Sequence, residues 1–356
     1  MHQLKSIHFP HDLSGFSEII DVRSPDEYAH DHIPGAINLP SLNSKERAEV
    51  GTIYKKNPFE ARKLGAGYIS KNVAHHLSTY LADKDSGYHP LLYCWRGGMR
   101  SRSFSFILQS IGWNTHIVSG GYRAYRKFVI AELERILSHP QLQFRVFSGV
   151  TGVGKTKLLH QLSDQGAQVL DLEGLANHKG SLLGAPKSSE QPSQKNFETR
   201  LWHCLKDYDP KKAIFTESES NRIGCVHCPP ALWKKLSESE VINLALDLDE
   251  RVKLLLKDYP HFCDDPEGLS TLLEHLVRLR GREQVTHWQE LIKNGQWSEF
   301  TRSILENHYD LAYRMPGEDN SNYPAPSHSY TLEDSSTASY QSLASNIIQN
   351  HIHSSM

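Results

Sequence analysis

The run Gly149-Val150-Thr151-Gly152-Val153-Gly154-Lys155-Thr156 constrains the fold of this chain more than any other segment. It follows the short apolar stretch Phe144-Arg145-Val146-Phe147 and precedes Leu158, Leu159 and Leu162 at helical spacing. Strand, glycine loop and helix in that order are the context in which successive backbone N–H groups form a nest for phosphate oxygens. Gly149, Gly152 and Gly154 let the backbone curl, Lys155 supplies a point charge, and Thr156 offers a hydroxyl to a magnesium ion. The ligand stays open: ATP, GTP or a diphosphate joined to an apolar group would each satisfy the loop. Further strands are expected at Gln168-Val169-Leu170-Asp171-Leu172, Ala213-Ile214-Phe215-Thr216 and Val241-Ile242-Asn243-Leu244-Ala245-Leu246, separated by helical stretches. Such alternation predicts an α/β fold with a mostly parallel sheet covered on both faces.

No run of four apolar residues ending in Asp supplies the usual metal-binding strand end beside this loop. Glu217 and Glu219, after the strand at 213–216, are the nearest substitutes, and Asp171 and Glu173 follow another strand end. All four are candidates for substrate binding, a metal or general-base work, with solvated or helix-capping roles equally open.

A second loop, Cys94-Trp95-Arg96-Gly97-Gly98-Met99-Arg100-Ser101, follows the apolar strand Leu91-Leu92-Tyr93 and leads into a helix with Phe104, Ile107, Leu108 and Ile111 on one face. The spacing from Cys94 to Arg100 lets amide N–H groups converge on the sulfur, and the helix adds its positive end. With Arg96 and Arg100 nearby, the sequence predicts a thiolate that also attracts an incoming anion. Cys94, Arg96, Arg100 and Lys155 are therefore the expected catalytic residues.

At 356 residues the chain suits two domains, with a boundary expected at His139-Pro140. Residues 1–138 form the first and 139–316 the second, whose part from Arg251 onward reads as a helical extension. After Pro316 the composition turns to Ser, Asn, Pro and Tyr, so residues 317–356 are expected to form a loosely ordered tail. The formal net charge of -2 excludes a global basic field, leaving any RNA contact to local patches. Neither a signal peptide nor a membrane span of roughly 20 apolar residues is apparent. Five scattered cysteines fit a reducing compartment. A cytoplasmic monomer is expected, with no membrane partner.

Asp21-Val22-Arg23-Ser24, Glu27-Tyr28 and His32-Ile33-Pro34-Gly35-Ala36-Ile37-Asn38, together with the cysteine loop, resemble the signatures of a rhodanese domain, which carries sulfur or selenium on its cysteine. Cysteine phosphatases share the Cys-to-Arg spacing but usually place His before Cys, where this chain has Tyr93. Rhodanese followed by a P-loop domain resembles the tRNA 2-selenouridine synthase family. Supporting segments are Gly120-Gly121-Tyr122-Arg123-Ala124-Tyr125-Arg126, Asp171 through Ser181, Glu217-Ser218-Glu219-Ser220 with Ile223-Gly224, and His308-Tyr309-Asp310. The resemblance implies geranylation of wobble 2-thiouridine from geranyl diphosphate, then replacement of sulfur by selenium from selenophosphate. It makes Cys94 the selenium carrier and Lys155 the residue for prenyl transfer. It also implies tRNA as partner and a selenophosphate-supplying enzyme as donor. No cofactor is firmly implied, with Mg2+ at the phosphate loop the candidate. The alternatives are a rhodanese sulfurtransferase fused to a small-molecule P-loop kinase, and a non-catalytic nucleotide-gated RNA-binding protein.

One departure from the family is Lys179, where arginine is expected after Asn-His; lysine keeps the charge and loses the bidentate fork. Cys225-Val226-His227-Cys228 resembles half a zinc site, yet neither Cys204 nor Cys263 completes it, so no metal site is expected. Basic clusters at Lys55-Lys56, Arg62-Lys63 and Lys71, and at Arg278, Arg280 and Arg282, are candidate tRNA-phosphate contacts or solvated helix faces. Trp95, Tyr122 and Tyr125 are candidates for stacking on a base or for core packing.

Overall fold

A computed structural model describes residues 4–178, 190–258, 260, 264–319 and 321–352. The chain divides into two compact units, Met1–Arg135 with Pro192–His203, and Ile136–Gln191 with Cys204–Met356. Lys179 and Cys263 lie outside the described residues.

In the first unit β1 (Lys5–Ile7), β2 (Glu18–Asp21), β3 (Ala36–Asn38), β4 (Pro90–Tyr93) and β5 (His116–Val118) form a five-stranded sheet in the order β1-β5-β4-β2-β3. Every pairing is parallel. Parallel strands need helical crossovers, which bury the sheet, so β4 is apolar throughout and fully covered. Ile20, Val22, Leu92 and Ile117 pack with Ile69 and Val73 of the helix Pro58–Ser78 and with Phe104 and Leu108 of the helix Met99–Ile111. Between β3 and β4 lie two helices, Ser44–Tyr54 and Pro58–Ser78. The break has a local cause: Asn57 caps the second helix by accepting the Glu60 N–H at 3.3 Å, and Pro58 fixes its first turn.

Residues 192–203 belong to this unit although they come long after the phosphate loop in sequence. They lie mostly in the helix Gln194–Leu205, whose Thr199 hydroxyl donates to Asp31 at 3.2 Å while Trp202 meets Tyr125 edge-on. Asp31 is fully buried and also accepts the Tyr122 hydroxyl at 2.7 Å. Arg126 pairs with Glu198.

The second unit contains β6 (Phe144–Ser148), β7 (Gln168–Leu170), β8 (Ile214–Glu217), the antiparallel pair β9 (Arg222–Ile223) and β10 (Val226–His227), β11 (Glu240–Ala245) and β12 (His328–Thr331). Its five-stranded parallel sheet runs β12-β11-β6-β8-β7, so β6, which leads into the glycine loop, is central. Phe147, Leu158, Leu159, Leu162, Phe215, Ile242, Leu244 and Leu254 form its core. A separate helical cluster around Leu269, Leu273, Val285, Trp288 and Ile304 matches the helical reading beyond Arg251. The expected strand at 168–172 ends at Leu170 because Asp171 accepts the Gly174 N–H at 2.7 Å and caps the helix Leu172–Ala176.

The expectation of a loosely ordered tail at 317–356 is corrected. Residues 328–331 form β12, and Thr337–Ile352 is a helix whose Tyr340, Ala344 and Ile347 are fully buried. Those three follow the helical spacing of one apolar stripe, which Ser, Asn and Gln at the remaining positions obscure in the composition.

Candidate functional site

Cys94 follows the last residue of β4, at the carboxyl edge of the parallel sheet where such folds place their chemistry. Its side chain is 3% exposed. The Gly98 N–H and the Ser101 hydroxyl each donate to Sγ from 3.2 Å, and the sulfur lies at the start of the helix Met99–Ile111. Two donors and a helix N-terminus suit a chalcogen that carries negative charge. Ser101, fully buried, was not among the expected site residues; its place directly after Arg100 is the signal that could have found it.

The loop is floored by glycine. Gly121 has φ +59°, and a Cβ there would lie 2.2 Å from the Cys94 carbonyl oxygen and 2.6 Å from the Gly97 nitrogen. Tyr122 N–H donates to that same carbonyl at 2.8 Å, closing the chain beneath the cysteine. Gly97, at φ +66°, is itself confined by the Val118 carbonyl.

The two expected arginines part company. Arg96 is exposed, and no side-chain partner is seen for it among the described residues. Arg100 donates to Glu27 through both terminal nitrogens, at 2.7 and 3.3 Å, so its charge is already engaged. Burial alone would raise Glu27, but Arg100, the Ser24 N–H and Arg47 outweigh it and hold the carboxylate down at about 2. Arg100 thus anchors the helix start to the segment around Glu27. Tyr122 and Tyr125 are buried, in keeping with core packing, while Trp95 stacks on Tyr122 with centroids 5.3 Å apart.

The phosphate loop joins β6 to the helix Lys155–Asp164, and Gly149, Gly152 and Gly154 all have positive φ. Lys155 Nζ donates to the Gly149 carbonyl at 2.8 Å, while the Gly149 N–H donates to the Tyr313 hydroxyl at 2.8 Å. The Arg251 Nε holds the Thr151 carbonyl at 2.9 Å, and the Tyr340 hydroxyl holds the Val153 carbonyl at 3.0 Å. Asp310, from the His308-Tyr309-Asp310 segment, grips Arg251 with both oxygens, at 3.0 and 2.6 Å. None of Arg251, Tyr313 and Tyr340 was an expected site residue.

Of the four acids, three gather beside the loop. Thr156 donates to Glu173 at 3.3 Å, and Glu217, fully buried at the end of β8, accepts the Glu173 N–H at 2.8 Å through one oxygen. The other Glu217 oxygen is buried without a partner. Burial raises Glu217 well above the carboxylate range. Burial first, then repulsion from Glu219, raises Glu173 to about 8. Asp171 is a helix cap with His160 at 3.5 Å. Hard oxygen donors at Thr156 and Glu173 are the type that Mg2+ accepts.

Elsewhere, Cys225 is exposed and Cys228 buried, with burial pushing the Cys228 thiol up to about 12, which works against thiolate ligation near neutral pH. The basic stretch 278–282 divides: Arg280 is bound to His308 through Nδ1 and the carbonyl, Arg282 pairs with Glu274, and Arg278 is exposed. Lys55, Lys56, Arg62, Lys63 and Lys71 are all exposed, Lys63 beside Glu60. Among the described residues no helix is long and apolar enough to cross a membrane.

A family model described as tRNA 2-selenouridine synthase AAA domain matches residues 142–329, and one described as rhodanese-like domain matches residues 9–128. The tRNA 2-selenouridine synthase of Nitrosomonas europaea is 38% identical over 246 residues, covering 68% of this chain and 63% of that protein. That of Marinobacter nauticus is 38% identical over 248 residues, covering 68% and 65%. That of Shewanella frigidimarina is 36% identical over 311 residues, covering 82% and 83%. The matches thus span less than two thirds of the first two relatives and more of the third.

Proposed function

The chain belongs to the tRNA 2-selenouridine synthase family, and on that premise we propose that it is a transferase converting 2-thiouridine at the tRNA wobble position into 2-selenouridine in two steps. In the first, the C2 sulfur attacks C1 of geranyl diphosphate. The C–S bond forms as the C–O bond breaks, diphosphate leaves with the electron pair, and the uracil N3 proton is released. In the second, the selenium of selenophosphate attacks C2, the C–S bond breaks and the geranylated sulfur departs as a thiolate that takes up a proton, and water then cleaves the P–Se bond, so that phosphate leaves and selenium stays on C2. Alkylation makes this exchange feasible, because a thiocarbonyl sulfur is a poor leaving group and a thioether sulfur a better one.

The observation that carries the reading is the presence in one chain of two loops with complementary chemistry: a buried sulfur held by two donors, and a glycine nest with its lysine. The nest amides and Lys155 would bind the diphosphate and stabilise the charge that grows as it leaves. Lys155 now rests on a loop carbonyl and has only to turn toward the ligand. Cys94, its negative charge stabilised by the Gly98 N–H and Ser101, would serve the second step. Thr156 and Glu173, the latter after giving up the proton it holds in the metal-free site, would hold Mg2+, which supplies further neutralisation of the diphosphate.

Nucleoside mass spectrometry of tRNA from cells carrying each variant tests this. Cys94→Ser should abolish 2-selenouridine while geranylated 2-thiouridine persists, and Lys155→Ala should abolish both. Unchanged products in Cys94→Ser would refute the selenation role. ATP turnover without RNA would favour the kinase alternative.

A further inference from the structure

We infer that Arg251 and Tyr340 are positioning residues of the phosphate nest, holding the Thr151 and Val153 carbonyls so that the next amides, of Gly152 and Gly154, face the anion. The inference rests on the reading of this loop as the diphosphate site. Its basis is peptide geometry. A trans peptide group is planar, with its carbonyl and the following N–H pointing in opposite directions. Arg251 Nε fixes the Thr151–Gly152 peptide at 2.9 Å and Tyr340 Oη fixes the Val153–Gly154 peptide at 3.0 Å. Each N–H is thereby turned away from the side chain that grips its carbonyl.

Both side chains also account for the glycines they face. A Cβ at Gly154 would lie 2.2 Å from Tyr340 Oη, and one at Gly152 would lie 3.0 Å from Leu255 Cδ1 and 3.5 Å from Arg251 Cβ. The loop is therefore backed by packed side chains, which glycine alone leaves room for. Each buttress is itself held. Arg251 is 5% exposed and clamped by Asp310, so its charge is engaged structurally. Tyr340 is fully buried in the helix Thr337–Ile352, with the Lys157 ammonium 4.6 Å from its ring centroid and bonded to the Ser335 carbonyl at 2.7 Å. That helix lies beyond residues 142–329, the span of the matching family model.

The test is titration of full-length protein with inorganic pyrophosphate and with geranyl diphosphate, comparing the unsubstituted chain with Lys155→Ala, Tyr340→Phe and Arg251→Lys. Tyr340→Phe keeps the ring and its packing and removes only the hydroxyl. The expected result is about five- to tenfold weaker binding for Tyr340→Phe, the value of one hydrogen bond. Because the same amides meet the charge that grows as diphosphate leaves, kcat/KM for geranyl diphosphate should fall by at least the same factor. Arg251→Lys, which cannot hold Thr151 and Asp310 together, should lose at least as much. A purely structural role would instead lower the melting temperature and leave affinity of the folded protein intact. Binding lost in Lys155→Ala yet unchanged in Tyr340→Phe overturns the positioning role alone. An unsubstituted protein that binds neither ligand overturns the diphosphate reading and the positioning role with it.

Discussion

The cysteine loop and the phosphate loop both leave a parallel strand and enter a helix, yet they are held in opposite ways. The sulfur of Cys94 takes its donors from four and seven residues along the chain, and Gly121 closes the floor. The phosphate loop is gripped from outside, by Arg251, Tyr313 and Tyr340, which lie 100, 164 and 187 residues from their partners. A single sulfur can be served by one turn of backbone closed on itself. A nest for a multiply charged anion needs several amides aimed together, and a rim of distant side chains provides the rigidity that aim requires.

The first way to break this comparison is to open the cysteine loop locally. Gly121→Ala forces a side chain against the Cys94 carbonyl at a left-handed backbone position, so a loss of about 3 kcal/mol or more is expected. Chemical denaturation should show it, together with loss of Cys94 alkylation at its normal rate. Pyrophosphate binding by the other unit should survive.

A smaller effect sharpens the phosphate side. Glu173 keeps its proton up to about 8, among Lys155, Asp171, Glu217 and Glu219. Because its folded value lies above the ordinary 4.5, the folded chain holds a proton that the unfolded chain has released, and stability falls as pH rises between the two values. Ionisation also sets a negative charge beside Thr156. Pyrophosphate affinity without divalent cation should therefore weaken severalfold as pH rises through about 8, and Glu173→Gln should flatten that profile. An unchanged slope in the variant would remove Glu173 from the anion site.

What could be read from the sequence follows the same division. Strand, glycine loop and helix at 144–162 were legible because each signal lies next to the other, and so was the cysteine loop. Arg100 misled, since the Glu27 that engages it is 73 residues earlier. Arg251 and Tyr340 carried no local mark of their role. Tyr340 was hidden twice over, because the Ser- and Asn-rich surroundings made its helix look like a tail. The helix holding residues 192–203 was legible as a helix, but nothing in its sequence says that it completes the unit containing Cys94.

The central claim is that each loop serves one step. It is tested most directly by supplying Lys155→Ala protein with tRNA already carrying S-geranyl-2-thiouridine, together with selenophosphate, and measuring 2-selenouridine. Selenation at the rate of the unsubstituted protein is the predicted result. No selenouridine from that substrate, with the variant folded, would contradict the division of labour between the two loops.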